Sequence, residues 1–94
     1  MKQVIKGKTY NTETMSVIVE KNVYHNGNYC GSNTIRITRN GNYCYVRTSN
    51  GQDLYRNSGI EALGAGEIAG RIDGWTLSDE EQAELLKRGI ITEA

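Results

Sequence analysis

The chain has no proline and no phenylalanine, one tryptophan, one histidine and two cysteines in 94 residues. Without Phe, the six tyrosines must supply most of the aromatic packing, and each buried one needs a partner for its hydroxyl. Cys30 and Cys44 lack any CxxC spacing, which argues against a disulfide framework or a zinc site. No apolar run approaches the roughly 18 residues of a membrane-crossing helix. The opening Met-Lys-Gln-Val-Ile-Lys has no apolar stretch of the secretory kind, so the expected location is cytoplasmic. His25 abuts an Asn-Gly turn, with no nucleophile or orienting carboxylate at a readable spacing. No GxxxxGK[ST] occurs, and the glycines of residues 64–70 have the wrong register for a dinucleotide loop. The expectation is therefore not an enzyme: no catalytic residue, no metal and no cofactor.

What is present organises itself around residues 33–48. Two β-prone runs meet at Asn40-Gly41, a strong hairpin signal because both central residues of a type I′ turn need φ > 0. With those two as the loop, Ile37 lies opposite Cys44 and Ile35 opposite Val46 on an apolar face. Arg36 then faces Tyr45, beside Tyr43 and Arg47 on the other. Asn26-Gly-Asn-Tyr-Cys30 recurs letter for letter as Asn40-Gly-Asn-Tyr-Cys44, and a third Asn-Gly stands at 50–51, before residues 52–56. Repeated turn chemistry explains this better than a duplicated ligand site. Simple pairing across Asn26-Gly27 sets Ile18 opposite Ile35; one extra residue near Gly31 would restore the register, so a β-bulge or a break is expected there.

Upstream, residues 2–5 and 8–10 read as a short hairpin around Lys6-Gly7. Residues 11–14 read either as a capped helical turn or as a polar turn, and residues 15–24 as a strand. Residues 58–70 read as a Gly-rich loop with room for one helical turn at 60–63, and 71–77 as strand or extended chain. Ser78-Asp-Glu-Glu81 is a capping box, with Lys87 and Arg88 in the last turn and Gly89 beyond it, so 78–89 reads as a helix. Ala83, Leu86 and Ile90 should line its packed side, with Leu85 adjacent. The reading is one α+β domain over 1–94. Residues 1–57 form an antiparallel β-meander of about four to six strands, and one C-terminal helix packs on the sheet.

Net charge is zero, yet residues 1–58 carry a surplus of five positive charges and 59–94 a deficit of five. That asymmetry marks either a partner surface or attraction between the halves of one fold. The candidate partner-binding set is Arg36, Tyr43, Tyr45 and Arg47, a mixture suited to protein hot spots. Single-strand binders use a similar mixture, stacking bases on aromatic rings and holding phosphates with arginine, although zero net charge disfavours nucleic acid. On this reading Arg36→Ala and Tyr45→Ala each cost about 1 kcal/mol or less. Glu80 and Glu84 on the helix are secondary candidates. Cys30, in an expected loop, is the more reactive thiol, and Cys44 is an inert small hydrophobe.

Residues 5–14, Ile-Lys-Gly-Lys-Thr-Tyr-Asn-Thr-Glu-Thr, resemble the opening of small accessory proteins from phages and mobile elements of Gram-positive bacteria. Residues 34–43 and 75–82 are similar to two later stretches of the same group. The chain departs from it after the hairpin, where the group carries an aromatic residue and a Gly-Glu-Gly-Gly run and this sequence has Cys44 and Ser-Asn-Gly at 49–51. The resemblance implies a non-enzymatic binding protein that inhibits a bacterial defence complex, in the manner of anti-CRISPR proteins. Its partner would be a host protein or nucleoprotein complex, with no membrane involved.

Overall fold

The computed structural model describes residues 1–51 and 57–94. The chain opens with a two-stranded hairpin, β1 (Lys2–Ile5) and β2 (Lys8–Asn11). Its turn is Lys6 at φ 50° and Gly7 at φ 78°, the two left-handed residues of a type I′ turn. The Asn11 side chain then accepts from the Glu13 N–H at 3.1 Å and caps a 3-10 turn, Thr12–Thr14. Of the alternatives open for residues 11–14, the capped turn through Asn11 is the one formed.

Four antiparallel strands follow in sequence order: β3 (Ser16–His25), β4 (Asn28–Ile37), β5 (Tyr43–Ser49) and β6 (Gly59–Leu63). Two helices complete the described residues, α1 (Ala65–Arg71) and α2 (Asp79–Lys87). The fold is the expected α+β antiparallel meander with C-terminal helical packing. Both faces of the sheet are covered. Tyr10, Ile5 and Met15 pack on Cys44, Val46 and Ile60 on the hairpin face. Ile68, Ile72 and Leu85 pack on Ile18, Val19, Ile35 and Leu63 on the helix face. None of the described helices is long and apolar enough to cross a membrane.

The central hairpin differs from expectation by one residue. Thr38 N–H bonds the Asn42 carbonyl at 2.9 Å, and Gly41 N–H bonds the Thr38 carbonyl at 3.0 Å, so the loop is Arg39-Asn40-Gly41. Only Gly41 is left-handed there, at φ 84°, as in a type I turn closed by a glycine bulge. The pairing becomes Thr34–Val46, Ile35–Tyr45, Arg36–Cys44 and Ile37–Tyr43. A one-residue slip moves a whole strand to the opposite face. Cys44 and Val46 therefore share the hairpin face with Arg36, whereas Tyr43 and Tyr45 lie with Ile35 and Ile37 under the helices.

The first hairpin behaves as expected. Asn26 (φ 51°) and Gly27 (φ 80°) form the two-residue turn, and a register shift between Val23 and Tyr24 leaves Cys30 as the extra residue beside Gly31. Val19 thereby reaches Ile35. A second shift, between Val17 and Val19, makes Ile18 another extra residue. At such a bulge two successive residues oppose one partner, and both Ile18 and Val19 are buried on the helix face.

Residues 58–70 are not a loop, since they hold β6 and α1. Strand β6 was illegible because both its faces are covered: Ile60 packs on the hairpin side and Leu63 on the helix side. Helix α1 contains Gly66 and Gly70, poor helix formers, and is held by packing of Ile68 and by Glu67, whose carboxylate accepts the Gly64 N–H at 3.0 Å. Residues 72–77 form a turn and irregular chain with no strand: Trp75 N–H bonds the Ile72 carbonyl at 2.9 Å, and Gly74 sits at φ 80°.

Helix α2 has the capping box. Ser78 Oγ accepts from Glu81 N–H at 3.1 Å, and Glu81 accepts from Ser78 N–H at 2.9 Å. It ends with Ile90 N–H on the Leu85 carbonyl and Gly89 N–H on that of Leu86, both at 3.0 Å, with Gly89 at φ 72°. Its packed side is centred on Leu85, fully buried, while Ala83 is exposed. The part of the expected meander that falls on residues 52–56 lies outside the described residues.

Candidate interaction surface

The four side chains proposed as one surface are divided between two faces. Arg36 lies half-buried on the hairpin face, where its Nε donates to Thr34 Oγ1 at 2.9 Å and Nη1 to the Thr12 carbonyl at 3.4 Å. It ties the 3-10 turn to the sheet. Tyr43 is half-buried against the helix-side core. Tyr45 and Arg47 remain together on the helix face, Arg47 exposed with its Nε on the Asn57 carbonyl at 2.6 Å.

Around Tyr45 the fold assembles residues that sequence spacing did not join. The Arg71 guanidinium lies 4.5 Å from the Tyr45 ring centroid and pairs with the Glu61 carboxylate. Trp75 sits 6.4 Å from Tyr45 on its other flank, and Lys21 Nζ lies 5.6 Å from the Trp75 ring. The row Lys21, Trp75, Tyr45, Arg71, Glu61 thus crosses from β3 to β6 beside the helices. Cations of the chain itself cover both rings. Such contacts contribute about 0.5–1 kcal/mol each at exposed sites, and they occupy ring surface that base stacking would need.

Among the described residues, the most exposed aromatic groups lie elsewhere. Tyr24 and Tyr29 flank the Asn26-Gly27 turn, are 62% and 43% exposed, and meet edge to face with centroids 5.9 Å apart. Strand β5 pairs with β4 from Gly31 onward and Asn50 adds bonds to the Cys30 and Tyr29 carbonyls, so among the described residues it is the Asn26-Gly27 turn end of the β3–β4 hairpin that extends past its neighbour. Two tyrosines placed symmetrically about an Asn-Gly pair were the available signal, overshadowed by the repeat that contains one of them. His25 is exposed at the same end.

Glu80 is exposed on α2, and Glu84 is engaged by Arg88 Nε at 2.7 Å. With Ser16, Val17 and Ser78 they line a cleft of about 370 Å³ between α2 and β3. Cys30 is buried in β4, not in a loop, so it is no more accessible than Cys44. Burial pushes the Cys44 thiol up to about 11, against a smaller opposing pull from Arg36, and its Sγ lies 3.5 Å from Met15 Sδ. Such a thiol stays protonated and weakly nucleophilic at neutral pH. Among the described residues, no group of three His, Cys, Asp or Glu side chains is placed to hold a metal ion. Comparison with protein-family models, curated proteins and solved structures found no match.

Proposed function

We propose that the chain is a non-enzymatic binding protein of a phage or mobile element that inhibits a bacterial defence complex by protein–protein contact in the host cytoplasm. The observation that carries the binding part is the exposed Tyr24–Tyr29 pair at the projecting end of the β3–β4 hairpin. Tyrosine brings a large, rigid contact area with a polar tip, and it is among the residues that anchor protein interfaces. The defence context rests on the resemblance of residues 5–14, 34–43 and 75–82. The alternative, single-stranded nucleic acid held by Arg36, Tyr43, Tyr45 and Arg47, is weakened because those side chains do not share a face.

Phage plating on a host carrying a CRISPR–Cas system, with and without the chain, tests the proposal. Restored plating that is lost in a Tyr24→Ala/Tyr29→Ala variant with unchanged melting temperature is the expected result. Unaltered plating, together with tight binding of a labelled single-stranded oligonucleotide that weakens steeply with salt, would favour the alternative.

A further inference from the structure

The sheet leaves β3 as an edge strand, and its two halves are treated differently. The lower half is closed to further pairing: it carries the Ile18 bulge, and its outward Glu20 N–H is taken by Glu81 Oε2 at 2.9 Å. Bulges and capping groups are ordinary means of blunting an edge. In the upper half the register shift between Val23 and Tyr24 places its extra residue, Cys30, on β4, so β3 itself keeps its regular alternation there, and no described side chain caps its outward groups. Backbone groups alternate in direction along a strand, so with Glu20 pointing outward, Asn22 and Tyr24 also point outward. The turn end agrees, because His25 and Asn28 flank a two-residue turn and bond each other inward. No hydrogen bond from the described residues reaches the outward N–H and C=O groups of Asn22 and Tyr24.

We propose that this upper edge is a self-association surface, pairing antiparallel with β3 of a second copy about a two-fold axis at Val23. The inference is independent of the defence reading. Two outward residues, spaced two apart, are self-complementary in one register. Asn22 of each copy exchanges both backbone bonds with Tyr24 of the other, which satisfies the N–H and C=O of each. Val23 then faces Val23 of the second copy as a close, non-hydrogen-bonded pair, with Cα atoms about 4.5 Å apart. Lys21 stands opposite an imidazole, His25, and no two like charges are directly opposed. The neighbouring register, centred on Asn22, requires the Glu20 N–H that Glu81 already holds. The contact is short, so the dimer is a weak one, and the two four-stranded sheets become one continuous sheet.

Sedimentation equilibrium of the full chain from about 10 μM to about 1 mM, a range that spans weak association, is the first measurement. The weight-average mass should rise from monomer toward dimer. Backbone amide exchange at Asn22 and Tyr24 should slow with concentration, while that at Lys21 and Val23, already bonded to β4, should not change. Asn22→Pro removes one outward N–H at an edge position where proline is tolerated, and Val23→Lys sets two ammonium groups together at the axis. Each variant should weaken dimerisation about tenfold or more while melting near the parent. A monomer at every concentration would overturn the proposal. So would self-association that survives Asn22→Pro in a folded variant.

Discussion

The Glu81 carboxylate, three residues into α2, accepts the backbone N–H of Glu20 on the edge of β3 at 2.9 Å while its other oxygen holds Ser78 N–H at 2.9 Å. One side chain thus closes a helix start and ties that helix to the sheet. Burial raises the Glu81 pKa, but the bonds from backbone Ser78, backbone Glu20 and the Ser78 hydroxyl together outweigh it and hold the carboxyl below its usual 4.5. A carboxyl depressed by folding contributes stability above its unfolded value and loses it as pH falls through the lower folded value. Stability should therefore drop below about pH 4.5 more steeply in the parent than in Glu81→Ala. At neutral pH that variant should be less stable by about 1–2 kcal/mol, the range for lost caps, in denaturant titrations at both pH values.

The two copies of Asn-Gly-Asn-Tyr-Cys adopt different turns, and asparagine substitution separates them. Asn26 is left-handed at φ 51°, whereas only the glycine, Gly41 at φ 84°, is left-handed in the second turn. Asn26→Ala should cost about 1 kcal/mol from the left-handed backbone alone, and Asn40→Ala close to nothing. Gly41→Ala should cost about 1–2 kcal/mol. Equal losses at Asn26 and Asn40 in urea unfolding would restore the two-residue loop at 40–41 and with it the other register.

Those turns mark where the sequence could and could not be read. The positions of β1 to β5, the Gly31 bulge and the α2 caps follow from local rules, and they appear where β-branched runs, Asn-Gly pairs and Ser78-Asp-Glu-Glu81 place them. The facing of β5 does not follow from a local rule. It turns on whether Thr38 closes the loop, which its hydroxyl does by accepting Asn42 N–H at 3.0 Å. That one extra residue transferred Tyr43 and Tyr45 from an imagined open face to the helix side. Strand β6 escaped detection because two covered faces erase the polar alternation of a half-buried strand. Helix α1 escaped because tertiary packing of Ile68 overrides its glycines. The Lys21–Trp75–Tyr45–Arg71 row joins residues from four parts of the chain and has no local signature.

Cysteine chemistry gives a direct check on the core. With Cys44 fully buried and its thiol raised to about 11, and Cys30 buried in β4, neither should react at pH 8 while the chain is folded. Iodoacetamide labelling read by mass spectrometry should proceed at the rate of unfolding, and both sites should label together once denaturant is added. Rapid labelling of Cys30 alone in the native chain would place it in an accessible loop.

Tyrosine truncation distinguishes the packed rings from the presented ones. Tyr45 is half-buried between Trp75 and Arg71, so Tyr45→Ala should cost about 2–4 kcal/mol, more than an exposed cross-strand pair would. Tyr24 and Tyr29 are exposed and meet edge to face, and such a pair contributes about 0.5–1.5 kcal/mol, so Tyr24→Ala or Tyr29→Ala should lower stability by no more than that. Partner affinity should show the opposite order, with Tyr24→Ala weakening it by about 1–3 kcal/mol as expected of an anchor. Chemical denaturation and calorimetric binding on the same three variants provide both readings. If Tyr24→Ala and Tyr29→Ala leave affinity intact while Arg47→Ala abolishes it, the contact belongs to the helix face beside Trp75 instead of the hairpin end.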